Sequence, residues 1–136
     1  GWLSRSPCHD QPKLRNGAVS DSLSGAGGLI GIAVTDDTGA IAIDQSFATG
    51  STTSSNGPAG GLVGKSEQVG PVGLQQLVVT DSYASGTATG RWAAGGIVGE
   101  ADALRSPAVS LVRTYAVGLV DASDITADDS AGGVAR

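Results

Sequence analysis

The stretch that decides the fold is Gly60-Gly61-Leu62-Val63-Gly64, because this cassette recurs along the chain. Copies begin at residues 27, 60, 95 and 132, so successive starts are 33, 35 and 37 residues apart. Self-similarity at a period of about 20 to 50 residues is typical of solenoids and other stacked arrays. The cassette glycines are Gly27, Gly28, Gly31, Gly60, Gly61, Gly64, Gly95, Gly96, Gly99, Gly132 and Gly133.

A second motif lies upstream of each cassette and places a glycine three residues after an aromatic residue. Its copies are Ser46-Phe47-Ala48-Thr49-Gly50, Ser82-Tyr83-Ala84-Ser85-Gly86 and Thr114-Tyr115-Ala116-Val117-Gly118. A degenerate copy runs from Leu14 to Val19 and has Gly17 at the glycine position. Two motifs that recur in the same order indicate one repeat unit.

Short apolar runs at 40–43, 77–80 and 109–112 are rich in β-branched residues and are bounded by turn formers, which indicates strands. No segment has the i, i+3, i+4 apolar spacing of a capped helix. We therefore predict an all-β protein, a β-solenoid (β-helix) of about four coils with repeats of about 34 residues and about three short strands per coil. Residues 1–13 are predicted to be irregular or part of a junction coil, and residues 14–136 to be the repeat domain.

Registering the repeats predicts columns of equivalent side chains, since strands of neighbouring coils lie about 4.8 Å apart. Alternation along the aromatic stretch allows either the aromatic residues or the alanines and the motif glycines to point inward. We favour inward alanines and glycines, with the aromatic residues in an outer or corner ladder, because small interior residues let narrow walls approach. Variable loops at 33–39, 65–73 and 100–107 absorb the drift in period. The predicted columns are Ile41-Leu77-Val109, Ile43-Val79-Leu111, Phe47-Tyr83-Tyr115, Ala48-Ala84-Ala116 and, at a corner that faces water, Gln45-Asp81-Arg113.

Composition restricts the functions open to these 136 residues. The formal net charge is −5 and no run of Lys and Arg occurs, so nucleic-acid binding through counterion release is not expected. No stretch of about 18 apolar residues could span a membrane, and no signal peptide is recognisable. The single cysteine, Cys8, leaves an ordinary thiol or a cross-link to another subunit.

The cassette, with Ser-Tyr-Ala-x-Gly upstream of it, resembles the GLUG motif of bacterial surface and secreted proteins. That setting includes large adhesins, haemagglutinin-like proteins and the non-catalytic parts of immunoglobulin A peptidases. The resemblance covers roughly residues 14–136. It implies a β-solenoid on a cell surface or in the extracellular matrix, and it implies no catalytic residues. Two positions depart from the motifs: the last cassette continues with Val134-Ala135-Arg136, and Leu14 stands at the first aromatic position.

The two ends of the array predict self-association, because a stack of coils exposes unpaired backbone groups at each end. Residues 132–136 of one copy followed by residues 1–27 of another would make a step close in length to the other three. A head-to-tail contact of this kind generates an open filament. The residues expected at the junction are Gly132, Gly133, Val134, Leu14 and Val19. The alternative is that flanking repeats of a longer chain continue the stack.

Residues with catalytic or metal-binding chemistry are scattered. Cys8 and His9 are neighbours, but adjacent residues of an extended segment point to opposite sides, and the two are too few for a metal site. Asp36, Asp37 and the acidic insertion 121–129 could offer oxygen ligands to Ca²⁺, although a solvated acidic turn is the simpler interpretation. We therefore predict no enzyme, no metal and no cofactor.

Two site types of other β-solenoids also fit poorly. Asp44 and Asp81 align only to within one position, and the third repeat has no carboxylate there, so a sugar-cleaving site is not predicted. The threonines in 51–53 and 87–89 resemble part of an ice-binding array, but residues 119–121 are Leu-Val-Asp.

The sequence thus predicts a structural protein: an extracellular subunit of a head-to-tail filament, or a segment of an adhesin stalk. Its partner would be another copy of itself or flanking repeats. The competing class is a carbohydrate- or surface-binding module that uses the variable loops, with Trp2 and Trp92 able to stack on a sugar ring.

Overall fold

The structure, a computed structural model, describes residues 13–15, 17–21, 25–35, 40–68, 77–102, 109–122 and 130–132. All regular structure in these ranges is β-strand, and the strands pair in parallel. They form five sheets in which each strand pairs with the strand five places later in the chain. The predicted all-β class is confirmed, and the stacked parallel sheets are compatible with a β-solenoid.

Successive groups of strands visit the five sheets in the same order, and we call each group a repeat. The first repeat contains β1 (Lys13–Arg15), β2 (Val19–Asp21), β3 (Ala26–Gly27), β4 (Ile30–Thr35) and β5 (Ile41–Asp44). The second contains β6 (Ser46–Ala48), β7 (Thr52–Ser54), β8 (Ala59–Gly60), β9 (Val63–Gln68) and β10 (Leu77–Thr80). The third contains β11 (Tyr83–Ser85), β12 (Ala88–Gly90), β13 (Ala93–Gly95), β14 (Val98–Asp102) and β15 (Val109–Val112). The fourth contains β16 (Tyr115–Val117), β17 (Val120–Ala122) and β18 (Ser130–Gly132).

The sheets take one strand from each repeat. Sheet A contains β1, β6, β11 and β16, sheet B contains β2, β7, β12 and β17, and sheet C contains β3, β8, β13 and β18. Sheets D (β4, β9, β14) and E (β5, β10, β15) have three described strands. The cassettes lie directly on one another, since the Leu62 N–H donates to the Ile97 carbonyl oxygen at 2.9 Å.

The prediction of about three strands per repeat is wrong, because the first three repeats each have five. The cassette bends at its second glycine and the residue after it, as at Gly61 and Leu62, and this bend separates β8 from β9. The aromatic stretch turns at its glycine: at Gly86, φ is 122°, a value that side chains rarely adopt. A continuous β-rich run in the sequence is therefore cut into shorter strands by corners.

The interior is built from small and aliphatic side chains. Leu62, Leu77 and Ile97 are fully buried. No aromatic ring of the described residues belongs to this core, which is why the walls can lie close together. Around the three large side chains the hydrophobic core includes Ile43, Val63, Val79, Val98, Ala33, Ala48 and Ala84.

The inward and outward assignments are only partly correct. Ala48 and Ala84 are buried and Tyr115 is exposed, as predicted. Gly86 and Gly118 are exposed corner residues, so the inward orientation expected of the motif glycines is wrong for them. Glycine suits this corner because Gly86 and Gly118 have φ values of 122° and 141°, which residues with a side chain rarely adopt.

The predicted segment boundaries shift as well. Strands β4, β9 and β14 continue to Thr35, Gln68 and Asp102, so chain expected to be loop begins as strand. Lys13 belongs to the segment predicted to be irregular or part of a junction coil, and it is the first residue of β1. Residues 1–12 lie outside the described residues.

Candidate functional site

Among the described residues, the sheets end in strands that have one neighbour each. At one end β1, β2 and β3 are the edge strands of sheets A, B and C, and we call them the N-terminal edge. At the other end β16, β17 and β18 are the edge strands of the same sheets, and we call them the C-terminal edge. Within the described part of the chain, each of these strands pairs on one side only. Such edges present backbone N–H and C=O groups that another strand can pair with.

The residues expected at a junction lie at these ends. Leu14 is in β1 and Val19 is in β2, at the N-terminal edge. Gly132 is in β18, at the C-terminal edge. Gly133 and Val134 lie outside the described residues. The described junction residues are thus at opposite ends of the sheets, which is the arrangement that a head-to-tail contact requires.

An aromatic ladder runs along sheet A. The ring centroids of Phe47 and Tyr83 are 5.0 Å apart with 6° between the planes, and those of Tyr83 and Tyr115 are 5.0 Å apart with 5°. The predicted stacking of the three residues is confirmed. Tyr115 is the last described ring and is 55% exposed.

A column of glycines lies at the corner between sheets A and B. A Cβ at Gly86 would lie 2.8 Å from the carbonyl oxygen of Gly50, and a Cβ at Gly50 would overlap the carbonyl of Gly17. Gly118 approaches Gly86 in the same way. Gly17 differs, because no described atom lies within 4 Å of its Cβ position. Close backbone approach therefore explains every glycine in the column except Gly17.

Outward positions become apolar from the end of the third repeat onward, at Val112 in β15 and then at Val117 and Leu119 in the fourth repeat, a change that was not predicted. Val117 lies opposite Ser85 and is 62% exposed. Val112 lies opposite Thr80 and is also exposed, and Leu119 is 66% exposed. The sequence contained a signal for this change, because the aligned columns have a polar residue in one repeat and an apolar residue in the next, as with Ser85 and Val117.

The water-facing corner column is confirmed as exposed, and it has a conformation that the sequence does not reveal. Gln45, Asp81 and Arg113 have φ values of 47°, 48° and 50°, in the left-handed region. The Arg113 Nη2 donates to Asp81 Oδ2 at 2.7 Å, and Nε donates to Oδ1. These hydrogen bonds hold the pKa of the Asp81 carboxyl below its ordinary value and raise the pKa of Arg113.

Buried hydroxyl groups form a second feature that was missed. The Ser46 N–H donates to Ser82 Oγ at 3.1 Å, and Ser82 Oγ donates to the Thr80 carbonyl oxygen at 2.6 Å. Thr52 Oγ1 and Ser54 Oγ are also buried but have no hydrogen-bond partner among the described residues. These two side chains point into the interior from β7.

Of the two tryptophans predicted to be able to stack on a sugar ring, Trp92 lies within the described residues. It is 39% exposed, and its indole N–H donates to Glu100 Oε2 at 3.3 Å. Lys65 Nζ lies 4.0 Å from Glu100 and 3.9 Å from Glu67. The other chemically suggestive residues, which lie outside the described residues, are Trp2, Cys8, His9, Asp36 and Asp37.

Metal-binding and membrane-spanning features are absent from the part of the chain that the structure describes. No three His, Cys, Asp or Glu side chains there gather closely enough to hold a metal ion. The same ranges form no helix of the length and apolarity needed to cross a bilayer.

Asp44 lies opposite Thr80 rather than Asp81, so these two carboxylates are offset by one position, as the sequence indicates.

Comparisons with protein-family models, with curated proteins and with solved structures gave no significant match to this chain. The GLUG resemblance therefore stays a prediction that rests on the two motifs.

Proposed function

We propose that the chain is a structural β-solenoid, an extracellular filament subunit or adhesin-stalk segment, and not an enzyme. The observation that carries the proposal is the pairing of each strand with the strand five places later, from β1 to β18. Each repeat then contacts only the repeats before and after it, so an array of this kind lengthens without a change in cross-section. The extracellular location draws on the GLUG resemblance.

The contacts between repeats support a mechanical role. The Leu29 N–H donates to the Leu62 carbonyl oxygen at 2.9 Å, and Leu62 repeats this bond to Ile97. Such bonds run along the stacking direction and are reinforced by columns of like side chains. Two described carboxylates near the corner are already engaged, since Asp81 accepts from Arg113 and Asp44 accepts from Thr80.

Inserting one repeat tests the proposal. A second copy of residues 60–94 is placed directly after Ala94, so that each Ala93-Ala94 pair is still followed by a Gly-Gly cassette. We expect a rod longer by about 4.8 Å with the same cross-section, measured by small-angle scattering.

A scrambled insert of the same length is the control for this experiment, and it should disturb the columns and lower the unfolding temperature. A faithful insert that unfolds the chain, or that leaves the length unchanged, would contradict the proposal.

A binding module is the second candidate, and the exposed face of Trp92 beside Glu100 is the observation that favours it. Aromatic rings with a nearby hydrogen-bonding group suit a partner that is apolar on one face and polar at its rim. Glycan-array binding that is lost in Trp92→Ala and kept in Trp92→Phe, with unchanged thermal unfolding, would favour this function. An array on which the unmodified chain binds nothing would reject it.

A further inference from the structure

We propose that the N-terminal edge is the docking surface for the C-terminal edge of a second copy of this chain, with Gly118 of one copy packed against Gly17 of the next. The inference rests on the proposed function, because it names the partner at the end of the stack. Three observations on the described residues carry it: an unexplained glycine, a pairing rule that continues across the junction, and charges that do not oppose one another.

The glycine is the first observation. In each later repeat, the Cβ position of the corner glycine faces the carbonyl oxygen of the glycine one repeat earlier, as Gly86 faces Gly50. Gly17 has the same place in the column, but no described atom faces its Cβ position. No positive φ requires a glycine there either. A carbonyl oxygen from a preceding repeat would explain the glycine at position 17, because it would leave no room for a Cβ there. The last described carbonyl of this column belongs to Gly118.

The pairing rule is the second observation. In sheet A the register runs through Leu14, Phe47, Tyr83 and Tyr115, and a second copy stacked on β16 brings its Leu14 opposite Tyr115. The junction therefore continues an interface that the chain already makes between its own repeats. It also places a strand beside the exposed ring at the end of the aromatic ladder.

Backbone hydrogen bonds follow the same rule in sheet B. The next donor in this column is the Val120 N–H, and the equivalent acceptor is the Ala18 carbonyl of the second copy. The observed bonds that set the rule are Val19 N–H to the Ser51 oxygen at 2.9 Å, Thr52 N–H to the Thr87 oxygen at 2.8 Å and Ala88 N–H to the Leu119 oxygen at 2.9 Å.

Charge is the third observation. The column that contains Ser20, Thr53, Thr89 and Asp121 places Ser20 of the second copy opposite Asp121. No like charges meet in this column, and like charges directly opposite each other would be destabilising. Position 20 is therefore suited to an engineered test of the contact.

The experiment uses the full chain and measures self-association by sedimentation velocity and electron microscopy across a range of concentrations. Gly17→Ala adds a methyl group where no described atom of the same chain lies, so thermal unfolding at low concentration should be unchanged. The same methyl group meets the Gly118 carbonyl of the other copy, and we expect association to weaken about tenfold or more. Thr53→Ala, an exposed change away from both edges, is the matched control and should associate as the unmodified chain does.

Charge variants give an independent readout should Gly17→Ala disturb the fold. Ser20→Lys faces Asp121 across the junction and should tighten association at low salt, whereas Ser20→Asp should weaken it. Both effects should shrink as salt rises, because screening weakens interactions between exposed charges. Opposite shifts for the two variants support the junction.

Two outcomes overturn the inference. A chain that stays a single copy at every concentration has no such junction, although the insertion experiment could still show an extendable rod. If Gly17→Ala, Ser20→Asp and the unmodified chain associate equally strongly, the contact between copies lies elsewhere on the molecule.

Discussion

Arg113 and Asp81 occupy the same corner position of successive repeats and are joined through their side chains, with Nη2 donating to Oδ2 at 2.7 Å. Stacking places equivalent residues next to each other, so a corner with the same charge in every repeat would repel itself. Opposite charges in neighbouring repeats turn that proximity into an attraction. The pair is open to solvent, which keeps its contribution small.

Acid titration should reveal this pair. The hydrogen bond from Arg113 lowers the pKa of Asp81 in the folded chain. The resulting stability is present above the unfolded pKa of about 3.9 and is lost as pH falls through the lower folded pKa. We expect Arg113→Gln to lower the unfolding midpoint slightly at neutral pH and to lose less stability below about pH 4. Denaturant unfolding at several pH values measures this, and parallel pH profiles for the two proteins would contradict it.

Removing a buried hydroxyl should stabilise the chain. Thr52 Oγ1 is buried without a partner among the described residues, and the next repeat has Ala88 at this position. We expect Thr52→Val to raise the free energy of unfolding by about 1–2 kcal/mol, since it removes an unpaired polar atom and keeps the shape. Thr53→Val, on the exposed face of the same strand, should change it by less than about 0.5 kcal/mol. Destabilisation by Thr52→Val would show that the hydroxyl is satisfied.

The cassette glycines should differ sharply in their tolerance of a methyl group. A Cβ at Gly61 would lie 2.5 Å from the Ala84 Cβ and would overlap the Gly96 carbonyl. A Cβ at Gly31 would meet a single described atom, the Gly25 carbonyl oxygen, at 3.1 Å. We expect Gly61→Ala to cost about 3 kcal/mol or more and Gly31→Ala about 1 kcal/mol or less, by thermal unfolding. Equal costs would mean that the walls are not held at this separation.

The left-handed corner offers a stabilising change. Gln45 has a φ of 47°, a conformation that costs a residue with a side chain about 1–2 kcal/mol. Gln45→Gly should therefore stabilise the chain by about 0.5–1 kcal/mol, after the greater chain entropy of glycine is subtracted. Ala42→Gly, in the exposed part of the neighbouring strand β5, should destabilise it by a similar amount. The same sign for both variants in denaturant unfolding would contradict the assigned corner geometry.

The repeat spacing was sufficient to predict the class of fold and much of its register. The Phe47 and Tyr83 column follows from counting residues, because a parallel stack with a fixed period brings like positions together. The inward orientation of Ala48 and Ala84 also follows, since small residues at these positions let the facing walls approach closely.

What only the tertiary structure decided is where the chain turns and which backbones touch. Five strands form instead of three because the cassette bends at Gly61 and the aromatic stretch turns at Gly86. Both corners depend on how the walls close, and a glycine in the sequence does not by itself mark a corner. The sequence also does not show that Gly17 and Gly86 have different surroundings. The two glycines read alike in the sequence, and only the neighbouring repeat shows that a carbonyl fills the space beside Gly86 while no described atom fills it beside Gly17.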